Sequence, residues 1–156
     1  MLALLPLVLA FAQDPKVDPF AKWEKEIAGI EKRLTDTKPA AGGVLFYGSS
    51  SIRLWDLKKS FPDATYLNAG FGGSTIRDCT HFVPRLVTPY APNTIVFYAG
   101  DNDIAGGRTA EQVATDFQAF RDAVKKDLPK ARILYIPVKP SVARWAKFEV
   151  QKKANA

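Results

Sequence analysis

Three short stretches of this chain hold groups that together can attack a carbonyl and stabilise the charge that develops. Gly48-Ser49-Ser50-Ser51 offers hydroxyls. Asn68-Ala69-Gly70-Phe71-Gly72-Gly73-Ser74-Thr75 offers backbone N–H groups on small residues, and Gly100-Asp101-Asn102-Asp103 offers a side-chain amide. A serine hydroxyl activated by a base forms a covalent acyl intermediate. Donors placed where the oxyanion grows stabilise it, and losing one costs about 3 kcal/mol of transition-state stabilisation. Glycine lets the backbone approach a reacting atom closely, and an asparagine amide donates without titrating. Taken singly, each stretch also has a plain structural reading. Ser49, Ser50 or Ser51 can cap a helix. Gly72 and Gly73 can be turn residues, and Asn102 can close an Asx turn.

Position along the chain favours the chemical reading. Residues 44–47, 64–68, 94–98 and 132–136 are short apolar runs that predict four buried strands. Phe20, Trp23, Ile27, Ile30 and Leu34 recur on one face of a helix that Pro39 and Gly42-Gly43 end. Residues 109–128 predict a second long helix carrying Val113, Phe117, Phe120 and Val124, with Thr109 and Gln112 as a capping box. Residues 76–87 are also helical in pattern, with a late start or a kink at Pro84. Strands alternating with helices predict an α/β fold built on a parallel sheet covered on both faces, with right-handed crossovers. In such sheets the functional loops follow the carboxyl ends of the strands. Each of the three stretches follows a predicted strand directly.

In that order and context, Gly48-Ser49-Ser50, residues 68–75 and Gly100-Asp101-Asn102-Asp103 resemble blocks I, II and III of the GDSL-type, or SGNH, hydrolases, a family of esterases and lipases. The resemblance spans roughly residues 42–140. The family's first block is usually Gly-Asp-Ser, and here serine takes the middle position, as in some subgroups. Asn68 and Gly73 have the spacing of the second block, and Gly100, Asn102 and Asp103 match the third. The resemblance implies a three-layer α/β/α, flavodoxin-like fold with strand order 2-1-3-4, the chain holding four of five strands. It implies Ser50 as nucleophile, with its own N–H, the Gly73 N–H and the Asn102 amide as oxyanion donors. It implies hydrolysis of a small ester or an acetylated carbohydrate through an acyl-serine intermediate, with no cofactor. The family's base is a histidine in a later Asp-x-x-His block, which this sequence does not contain. His81, the only histidine, sits in the second crossover and is expected to be an ordinary helix residue. The chain therefore reads as incomplete at its C-terminus and as capable of little turnover alone.

The main alternative is a non-catalytic module that binds carbohydrate or an anion in the same crevice, with loop N–H groups as a nest and Trp55, Tyr98 and Trp145 as stacking surfaces. A dinucleotide site fits poorly, because Gly70-x-Gly72-x-x-Thr75 lacks the third glycine and no acidic residue ends the next strand. A Gly-x-Ser-x-Gly elbow is not met, since Ile52 stands where the last glycine is needed.

The chain has 156 residues, 47% hydrophobic and 24% charged, which suits one globular domain and excludes fibrous or wholly disordered classes. Its net charge is +6, but the basic residues are dispersed except between Lys139 and Lys153, and no nucleic-acid motif is present. Cys79 and His81 are single, which excludes an internal disulfide and any two-imidazole metal site. Asp101 and Asp103 make a weak metal pair; Asp103 is expected to hold its loop through backbone N–H groups. Residues 1–12, MLALLPLVLAFA, are too short to span a membrane and read as a signal peptide cut after Ala12, implying a secreted or periplasmic protein. Residues 13–41 then form a linker and the first helix, and residues 42–156 the hydrolase domain.

Overall fold

The computed structural model describes residues 18–37 and 41–156. The expected signal peptide, and the expected linker up to residue 17, lie outside the described residues. A 3-10 turn at Ala21–Trp23 leads into α1 (Glu24–Thr37). Then follow β1 (Val44–Gly48), α2 (Ser50–Arg53), α3 (Leu57–Ser60), β2 (Leu67–Gly70), α4 (Ile76–His81) and α5 (Val83–Leu86). The rest is β3 (Thr94–Tyr98), α6 (Asp101–Ala105), α7 (Ala110–Asp127), β4 (Arg132–Tyr135) and α8 (Phe148–Ala154).

All strand pairs are parallel, in the order β2-β1-β3-β4. β1 is central, pairing Leu45 with Leu67 on one side and with Ile95 on the other. Strand alternation then sorts side chains onto two faces. Leu45, Tyr47, Ile95 and Phe97 join the larger core with Ile27, Ile30 and Leu34 of α1, Ile76 of α4, Leu86 of α5 and Val113, Phe120 and Val124 of α7. Phe97 stacks on Phe120 with ring centroids 3.9 Å apart. Phe46 and Tyr98 face the other way, onto Ile52 of α2 and Leu57 of α3. The result is a three-layer α/β fold with unequal faces.

Local chemistry sets the helix bounds. Thr109 caps α7 by accepting from the Gln112 N–H, while the Gln112 side chain accepts from the Thr109 N–H. Pro84 lies in the first turn of α5, where its missing N–H costs nothing, and the expected single helix is broken into α4 and α5. One expectation needs correction, and one segment is new. The second strand runs Leu67–Gly70 rather than over residues 64–68. Ala64 instead closes a turn onto the Phe61 carbonyl, and pairing with β1 fixes the strand further along. The segment after β4, to which the sequence pattern assigns no element, carries a 3-10 stretch at Val142–Lys147 and α8.

Candidate active site

The site begins where β1 ends. Gly48 has φ +136°, and a Cβ there would stand 2.0 Å from the Tyr98 carbonyl oxygen. Only glycine lets the ends of β1 and β3 approach this closely. The Ser49 N–H donates to that same Tyr98 carbonyl at 2.9 Å. Ser49 fills the N-cap position of α2, yet its hydroxyl makes no capping bond and lies buried. Ser50 is therefore the first helical residue, half-buried, at the carboxyl edge of the sheet. An N–H in that position has no intrahelical acceptor. The Ser51 hydroxyl is used differently, accepting from Lys139 Nζ at 2.9 Å.

The glycine loop after β2 is tied to this point from several sides. Phe71 N–H donates to the Gly48 carbonyl at 3.0 Å. The Ser74 hydroxyl, fully buried, lies 3.0 Å from the Phe71 carbonyl and 3.4 Å from the Gly48 carbonyl. Gly72 N–H donates to Glu26 Oε1 at 3.0 Å, so α1 also holds the loop. Asn68 braces its base, donating to the Ile52 carbonyl at 2.7 Å and accepting from the Gly70 N–H at 3.0 Å. Gly73 is exposed at the crest with φ +75°. Thr75 then caps α4 in a full capping box with Asp78.

The third stretch closes the ring. Asn102, in the first turn of α6, donates through Nδ2 to the Ser74 carbonyl at 3.0 Å. Its Oδ1 accepts from Arg144 at 3.0 Å, and a second arm of Arg144 donates to Asp101 Oδ2 at 2.7 Å. This is neither an Asx turn nor a surface amide. Asp103 is 1% exposed and accepts from the Ile76 N–H through both carboxylate oxygens, at 3.1 and 3.3 Å, the role expected for it. Burial raises its pKa from the ordinary 3.8 to about 6. The two backbone N–H groups it accepts from oppose that shift, Asp116 adds to it, and Arg108 opposes it. Burial and then the charge of Asp101 also raise the Tyr98 phenol.

The loops that carry Ser50, Gly73 and Asn102 are thus tied together through Gly48, Ser74 and the strand ends. His81 lies elsewhere. It ends α4, exposed and stacked on Phe20 at 3.8 Å, roughly 8 Å along the helix axis from the end that meets the loops. The sequence reading missed Glu26, Ser74 and Arg144. Only Arg144 had a signal, as part of the basic cluster that follows the fourth strand.

The family model of the GDSL-like lipase/acylhydrolase family matches residues 47–156, from the end of β1 onward. The chain belongs to this family. Solved structures agree on the fold. A GDSL-like lipase from Bacteroides thetaiotaomicron superposes with TM-score 0.57 at 19% identity, covering 87% of this chain and 66% of its own. An acetyl-xylooligosaccharide esterase from Geobacillus Stearmophilus gives TM-score 0.55 at 14% identity over 74% of this chain and 69% of its own. A Streptococcus pneumonia protein named for platelet activating factor gives TM-score 0.66 at 21% identity and 78% coverage, and this chain spans 57% of its length. Comparison with curated proteins gave no sequence match.

Proposed function

We propose that the protein is a serine esterase that cleaves carboxylic esters through an acyl-serine intermediate. Ser50 Oγ attacks the ester carbonyl carbon while a base takes its proton. The carbonyl oxygen becomes the oxyanion, facing the Ser50 N–H, the Gly73 N–H and one proton of Asn102 Nδ2. Collapse expels the alkoxide, which leaves as the alcohol with the proton returned by the base. Water then repeats the sequence on the acyl-serine and releases the acid.

The observation that carries this reading is the Asn102 bond to the Ser74 carbonyl, one residue from Gly73, in a loop itself anchored on Gly48 two residues before Ser50. One amide proton is used in that bond, which leaves the other for the oxyanion. The base is the part these residues do not supply: His81 faces Phe20, away from the loops. The 156-residue polypeptide by itself is expected to turn over little.

The substrate we infer is a small ester or an acetylated carbohydrate, and the expected signal peptide would deliver the protein outside the cytoplasm. Trp145 is 63% exposed and Trp55 36% exposed, so both can meet a sugar ring. Tyr98 is 3% exposed and is not available for stacking. The exposed tryptophans also favour the second reading, a carbohydrate-binding module without catalysis. Ser50→Ala in the full-length protein separates the two. The esterase reading expects hydrolysis of a short-chain aryl acetate to fall by at least about a thousandfold, with folding unchanged. Retained hydrolysis removes Ser50 from the reaction. Acetylated-oligosaccharide binding with no hydrolysis in the parent protein favours the module.

A further inference from the structure

We infer that Arg144 is a positioning residue that orients the Asn102 amide for catalysis, an inference that rests on the esterase reading above. An asparagine side chain can rotate about its terminal bond and exchange its oxygen for its nitrogen. In the wrong orientation Asn102 would present an acceptor to a developing oxyanion and repel it. Two contacts forbid that rotation. The Ser74 carbonyl can only accept, so it requires Nδ2 on its side, at 3.0 Å. The Arg144 guanidinium can only donate, so it requires Oδ1 on its side, at 3.0 Å.

The second contact does more than the first. A cation on Oδ1 draws electron density from the amide and strengthens its N–H groups as donors. Arg144 is itself fixed, because its other arm is held by Asp101 at 2.7 Å and that carboxylate is 15% exposed. The planar fork of arginine spans two consecutive residues in the first turn of α6, and a lysine cannot reproduce that geometry. The guanidinium comes from the 3-10 stretch Val142–Lys147, beyond β4, so a fourth loop reaches back onto the third.

The test compares Arg144→Ala and Arg144→Lys with Asn102→Ala in the full-length protein, using a short-chain aryl acetate and urea unfolding. Arg144→Ala is expected to lower kcat by about ten- to a hundredfold with KM within twofold, part of the hundredfold or greater loss from removing the donor itself. Added guanidinium ion should restore part of that kcat, and Arg144→Lys should restore little. In an Asn102→Ala background the Arg144 substitution should change kcat less than twofold. The side-chain amide resonances of Asn102 supply a readout independent of turnover: Arg144→Ala should shift them and speed their proton exchange. Unchanged amide resonances, or a kcat within twofold of the parent, overturns the proposal. So does an equal loss in both backgrounds, which would mark Arg144 as a structural anchor. Failure of the esterase reading looks different, because Ser50→Ala would then retain hydrolysis, and the catalytic part of this inference would fall with it.

Discussion

Asp103 titrates against the usual direction for a carboxylate, and Asp103→Asn tests the cause. The side chain is 1% exposed, and burial lifts its pKa from 3.8 to about 6. Between those two values the folded protein keeps a proton that the unfolded chain has released. The contribution of Asp103 to stability therefore falls as pH rises through this window and is lowest above about 6, where both states are ionised. A shift of about two units corresponds to about 3 kcal/mol. The two Ile76 contacts, at 3.1 and 3.3 Å, are too few to offset the loss of water around the charge. Asparagine keeps one acceptor for the Ile76 N–H and does not titrate. Urea unfolding, followed by tryptophan fluorescence from pH 4 to pH 7.5, should show the variant gaining about 3 kcal/mol relative to the parent as pH rises. That is roughly 1–2 M in midpoint for a chain of this size. A difference that stays constant within about 0.5 kcal/mol over the same range, or that changes in the opposite sense, would refute the assignment of burial as the dominant cause.

Three further substitutions test other parts of the framework. Gly48→Ala places a methyl 2.0 Å from the Tyr98 carbonyl, a backbone atom that cannot swing aside; a destabilisation of about 4 kcal/mol or more is expected, read from denaturant unfolding. Glu26→Ala leaves the Gly72 N–H without its carboxylate acceptor; it should cost about 1–2 kcal/mol and speed amide exchange at Gly72, with Glu26→Gln recovering most of both. Phe120→Ala removes a fully buried ring stacked at 3.9 Å on Phe97; a loss of about 3–5 kcal/mol should appear as a lower Tm.

The sequence made some features legible because their causes are local. β1 lies between glycines and β3 between Pro92-Asn93 and Ala99-Gly100, and both run close to their expected bounds. α7 carries a capping box and a clean 3- and 4-residue apolar repeat. β2 was misplaced because Thr65 and Tyr66 favour strands, whereas Ala69 and Gly70 do not. What makes a strand of Gly70 is remote: it pairs with Gly48 of β1, and α2 passes so close that a Cβ there would lie 2.4 Å from the Arg53 nitrogen. The same limit applies at the site. Ser50, Gly73 and Asn102 stood out by residue type and spacing. Glu26 reaches Gly72 across 46 positions and Arg144 reaches Asn102 across 42, and no local pattern encodes such contacts. Ser74 looked like one more turn residue, and only in three dimensions does its hydroxyl meet the carbonyl of Gly48.

The contact between Gly48 and the Tyr98 carbonyl also divides the molecule into parts that can and cannot drift. Main-chain atoms wedged together at this seam leave evolution no side chain to exchange there, so the ends of β1 and β3 are frozen in place. Val142, 95% exposed, and Trp145 belong to a different stretch, held by side-chain bonds of Arg144 rather than by wedged main chain. Within that stretch Arg144 is pinned to Asp101 and Asn102, so a lineage of such proteins is free to vary Val142 and Trp145 on either side of it while the guanidinium stays put.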